Sequence, residues 1–156
     1  MREVFKMKMS ALTVARYFLS RSIPNTDESI THLKLQKLVY YAQAWHLALR
    51  GEKLFEERIE AWVHGPVCPD LYQEYREFGY QEIPIVDIVK INDESIEELL
   101  EAVWVAYGKF DGKFLEELTH QETPWLQARS NLSDQSYSNN VITSKSMEEY
   151  YSKTLN

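Results

Sequence analysis

Cysteine is nearly missing: Cys68 is the only one in 156 residues. A lone thiol excludes an internal disulfide, which suits a reducing compartment. Glycine and proline number five each, so the chain is not loop-rich and its elements should be few and long. No apolar run approaches the roughly 20 residues of a membrane span. Residues 1–9 are short, mixed and lack the apolar centre of a signal peptide. They read as an N-terminal extension, with the cytoplasm as the expected location. Positive charge is scarce as well. Seventeen Lys and Arg stand against 24 Asp and Glu, a net charge of −7. No Lys/Arg-rich run exists to displace counterions from a phosphate backbone, so direct nucleic-acid binding is disfavoured. A negative surface suits a basic partner, mainly by speeding encounter.

Apolar residues are plentiful. Hydrophobic residues make up 44% of the chain, enough for one real core in one domain, read here as 10–156. Ten Tyr and four Trp supply large side chains for that core or for an interface.

Periodicity predicts mostly helix. Ser10 caps a first helix over about 11–22, with Ala11, Val14, Ala15 and Phe18 on one face. Thr31 caps a second, about 32–49, stopped by Gly51. Here Leu35, Leu38, Ala42, Trp45 and Leu49 form one apolar arc, and Leu33, Tyr40, Tyr41, Ala44, Leu47 and Ala48 another. Gln36, Gln43, His46 and Arg50 fill a polar gap between them. A helix apolar on two sides needs cover on two sides, so it is placed at the centre. Pro66 and Pro69 open a helix to about Phe78. Asp93 caps another, whose Glu94, Glu97, Glu98 and Glu101 lie opposite an apolar face. Further helices are expected over about 113–120, with Phe114, Leu115 and Leu118 inward, over 123–128, and over 146–153 with a Ser146/Glu149 capping pair. A short strand is expected near Trp62, paired with one at Ile83–Ile91. The expected fold is mainly α: a compact bundle of six or seven helices around the central one, with at most a small two-stranded β element.

Catalytic patterns are thin. His32, His46, His64 and His120 show no metal-ligand spacing. No glycine-rich phosphate loop and no nucleophile elbow occurs. No metal site and no cofactor are expected. A hydrolase or transferase using His64, His120 and Glu122 is the enzymatic reading, against which those residues serve a turn and a helix junction. Cys68 is either a thiol activated near a helix N-terminus or an inert buried one.

Three segments together carry a family resemblance. They are KLQKLVYYAQAWHLALRGEKLF (Lys34–Phe55), IEAWVHGPVCPDLYQEY (Ile59–Tyr75) and LTHQETPWLQAR (Leu118–Arg129). The chain resembles the Panacea antitoxin domain family, also described as SocA-like or phage-associated GepA-like. The resemblance implies an antitoxin of a toxin–antitoxin system, not an enzyme. Its partner would be a cognate protein toxin encoded next door, neutralised by direct binding or delivered to a AAA+ protease as the SocA-like member does. Some relatives carry an added DNA-binding module, for which 156 residues leave no room. Trp62, His64, Pro66 and Tyr72 of the turn-helix motif, with Glu94, Glu97, Glu98 and Glu101 of the acidic helix, are the candidate partner contacts. Leu35, Leu38, Tyr41, Trp45, Gly65, His120 and Trp125 are the candidate scaffold residues.

Overall fold

The computed structural model describes residues 9–130 and 132–155. The extension expected at 1–9 lies outside them except for Met9, which packs on the core. In chain order the elements are α1 (Ala11–Arg21), α2 (His32–Arg50), β1 (Glu60–Trp62), β2 (Gly65–Val67) and α3 (Pro69–Tyr75). A 3₁₀ turn (Arg76–Phe78) follows, then α4 (Glu94–Tyr107), α5 (Gly112–Thr119), α6 (Thr123–Arg129) and α7 (Ser144–Thr154). The architecture is mainly α, as expected, with one two-stranded antiparallel sheet among the described residues.

Local chemistry explains most boundaries. The side chains of Ser10, Thr31, Asp93, Asp111 and Thr143 each accept a backbone N–H from the first turn that they precede. Gly51, at φ +73°, ends α2 in the left-handed conformation that glycine adopts without penalty. α7 starts earlier than the Ser146/Glu149 pair suggests. Thr143 is its cap, and the Ser146 hydroxyl donates back to the Thr143 carbonyl.

α2 is the hub. It packs against α1, α3, α4, α5, α7 and β2, and fourteen of its 19 residues are buried. Leu35 and Tyr40, one from each arc, are both out of solvent. The polar gap is covered as well: only Arg50 is exposed, while Gln36, Gln43 and His46 are buried. Each bonds the loop that covers it: Gln43 clamps Phe55 and Leu54, and His46 Nδ1 bonds the Glu52 carbonyl. Leu49 departs the other way, half exposed in the last turn, beyond the covering elements.

The β element is also corrected. β1 pairs with β2 in a hairpin, Trp62 opposite Gly65 and Glu60 opposite Val67, and Pro66 lies in β2 rather than in a helix. Residues 84–91 form no strand. Their last anchor is Ile83, whose N–H donates to the Ile30 carbonyl at 2.8 Å. Phe114 is likewise not inward. It stacks on Phe110 at 4.4 Å and stays partly in solvent.

Candidate functional site

The polar side chains of the motif segments converge under the hairpin. Lys37, fully buried in α2, donates from Nζ to the Pro66 carbonyl at 3.2 Å. Gly65 crosses directly over it at φ +107°, and a Cβ there would lie 2.6 Å from Lys37 Cε and 2.9 Å from Thr119 Oγ1. Only glycine fits both the backbone angle and the space. Burial pushes the Lys37 amine down to about 7, against the pull of the Glu116 carboxylate. Glu116, also buried, accepts from His64 Nδ1 at 3.2 Å and from Lys113 Nζ at 3.1 Å. His64 is otherwise exposed.

The glutamine one residue earlier does similar work. Gln36 Oε1 accepts the Cys68 N–H at 2.8 Å, and its Nε2 donates to His32 Nε2 at 3.1 Å. His32 lies against Tyr72, with ring centroids 5.2 Å apart. Burial, aided by the Lys37 charge, pushes its imidazole down to about 4. Cys68 is buried at the start of α3 and its thiol is pushed up to about 11 by burial. It is the inert alternative of the two weighed above.

The third segment holds the other side of the hairpin. Trp125 Nε1 donates to the Trp62 carbonyl at 2.8 Å, and Arg129 Nη1 donates to the Ala61 carbonyl at 3.0 Å. Arg129 lies over the Trp125 ring and reaches Ser133 and Ser136 carbonyls with Nη2. His120 stacks on the same ring at 4.0 Å, and burial lowers its pKa. Glu122 sits in a cage of phenols: its Oε1 accepts from Tyr41 at 2.7 Å and Tyr151 at 2.9 Å, while Tyr151 bonds Tyr40. Burial raises the Glu122 pKa despite those two donors.

His64, His120 and Glu122 are therefore each committed elsewhere: to Glu116, to Trp125 and to the tyrosine cage. Among the described residues no His, Cys, Asp or Glu cluster could hold a metal ion, and no helix is long and apolar enough to cross a membrane. Of the candidate contacts, Pro66 is buried, and Trp62 and Tyr72 are half-buried against each other, 5.0 Å between rings. The Trp62 indole N–H donates to Glu60. Leu35, Leu38, Tyr41, Gly65 and Trp125 are buried, while Trp45 and His120 are half-buried.

α4 presents the other group of candidates. Glu94, Glu97 and Glu98 are exposed and make no ion pair among the described residues. Glu101 differs. It pairs with Arg21 and accepts the Tyr17 hydroxyl at 3.0 Å. Burial, then the Glu101 carboxylate, pushes the Tyr17 phenol up to about 12. These four glutamates, Tyr17 and Arg21 line a groove of about 570 Å³ between α1 and α4.

Residue types alone missed Lys34, Lys37, Glu116 and Arg129. Lys34 Nζ donates to the Gly108 and Asp27 carbonyls at 2.6 and 2.9 Å, closing the end of α4 on α2. One signal was visible: two lysines three apart in a helix otherwise apolar on two sides have no solvent face to occupy.

The fold and its internal polar network define a helical scaffold whose motif side chains hold the backbone in place. The chain belongs to the family described as "Antitoxin SocA-like, Panacea domain", which it matches over residues 35–126. It is similar to Antitoxin SocA of Caulobacter vibrioides (strain NA1000 / CB15N), 29% identical over 130 residues, covering 75% of this chain and 69% of that protein. No solved structure matches the chain.

Proposed function

We propose that this chain is an antitoxin that neutralises a cognate protein toxin, encoded beside it, by direct binding in the cytoplasm, without catalysis or cofactor. One observation carries the reading: the stretch that matches an antitoxin family is the stretch whose polar groups are spent on the scaffold. Recognition then falls to the outer surface, where the exposed carboxylates of α4 are the candidate contacts. An acidic face that meets a basic toxin accelerates encounter and excludes acidic competitors.

Co-expression with the neighbouring gene product tests this. The expected result is restored growth and a complex that survives purification. No rescue and no complex would remove the proposal. Rescue that disappears when a AAA+ protease is deleted would replace masking with delivery for degradation. Rescue that survives replacement of His64, His120 and Glu122 together, by Gln at each position, would set aside the hydrolase or transferase reading.

A further inference from the structure

Residues 84–91 (PIVDIVKI) run between Ile83 and α4 without helix, turn or bend, and among the described residues their backbone makes no hydrogen bond. Five of the eight are β-branched, the composition of a strand. Ile88 is 90% exposed and Ile85 51%. Val86, Val89 and Ile91 pack towards the core while Ile85 and Ile88 face out, so a segment whose N–H and C=O groups find no partner among the described residues offers a template for an added strand.

The surroundings say what kind of strand. Ile85, Val86, Asp87, Ile88 and Val89 form one wall of a groove of about 570 Å³, with Thr13 and Arg16 of α1 as the other. The acidic groove described above uses Tyr17 and Arg21 of the same helix. Thr13, Arg16, Tyr17 and Arg21 recur at helical spacing along α1, so both grooves border the same helix. The first is apolar. The second carries Glu94, Glu97 and Glu98, which have no cationic partner among the described residues, since Arg21 is held by Glu101. A second copy of this chain, with its net charge of −7, would bring like charges together there.

We propose that this channel along α1 receives an extended, basic segment of the toxin, which pairs as a strand with residues 84–91 and sets Lys or Arg side chains against Glu94, Glu97 and Glu98. The proposal rests on the antitoxin reading above and adds the surface and the chemistry of its ligand. A helix laid in the same place would leave the peptide groups of 84–91 unpaired, whereas a strand satisfies them.

Hydrogen exchange on the full chain, alone and with the neighbouring gene product, gives the first readout. The amides of 85–91 exchange fast alone and become protected in the complex. Ile88→Pro removes an N–H that has no partner among the described residues, at a position outside any helix or turn. It leaves the melting temperature unchanged and weakens the complex about tenfold. Glu94→Gln/Glu97→Gln/Glu98→Gln weakens it as well and removes most of its salt sensitivity. A complex with unprotected 85–91 amides, or with both variants binding like the parent, would overturn the proposal. So would self-association of the chain through this segment. If the neighbouring product forms no complex, the antitoxin reading is what fails, and a synthetic decapeptide of alternating Val and Lys becomes the probe. Binding that both variants weaken supports the channel; no binding at millimolar peptide overturns it.

Discussion

Gly65 is the residue on which the hairpin turns. Gly65→Ala forces a methyl group into Lys37 and Thr119 and demands a backbone angle that alanine avoids. The expected loss is about 1–3 kcal/mol in chemical denaturation, larger than for Gly51→Ala, where nothing lies within 4 Å. Lys37 gives a pH signature. Its amine is held at about 7 when folded, against 10.5 ordinarily, so between those values the unfolded chain binds the extra proton. Stability therefore rises with pH across that window, and Lys34, pushed down to about 8, adds to the slope. Urea midpoints at pH 7 and 9 check this, and Lys37→Met flattens the rise. His32 acts at lower pH. Its folded value of about 4, against 6.5, means stability falls as pH drops from 6.5 towards 4. Glu122 tests the phenol cage. Glu122→Gln keeps an acceptor for Tyr41 and Tyr151, whereas Glu122→Ala orphans the buried Tyr41 hydroxyl, leaves Tyr151 only Tyr40, and costs about 1–3 kcal/mol.

Among elements, α2 was the most legible and the most deceptive. Its limits follow from Thr31 and Gly51, and its two apolar arcs required a central position. What its polar gap faces was not legible, because a sequence shows residue type and not what lies opposite. The loops that cover Gln36 and Gln43 arrive from Cys68 and Phe55, far along the chain. The hairpin shows the same limit. Its strands are three residues each, too short for periodicity to mark, and they are held by Lys37, Trp125 and Arg129. Arg129→Ala is expected to loosen both the hairpin and the loop at 132–140, because one guanidinium ties Ala61 to Ser133 and Ser136. Limited proteolysis within 132–140 should speed up, and Arg129→Lys should not restore it, since an ammonium lacks the planar fork.

At the scale of the whole molecule, charge and scaffold divide the work. The chain carries −7 overall, and the exposed carboxylates of Glu94, Glu97 and Glu98 on α4 lie outside the internal network. Association with a basic partner is expected to slow as ionic strength rises, while dissociation changes little; stopped-flow mixing at two salt concentrations separates the rates. The sequence by itself determined the helical class, the caps at Ser10, Thr31 and Asp93, the central place of α2 and the family, because these depend on local spacing and on motifs within continuous segments. Only the tertiary structure decided which polar residues are interior, that β1 pairs with its neighbour β2, and that residues 84–91 have no backbone partner among the described residues. Those outcomes depend on which distant backbone groups meet a given side chain, and a hydrogen bond between remote segments leaves no periodicity in either one.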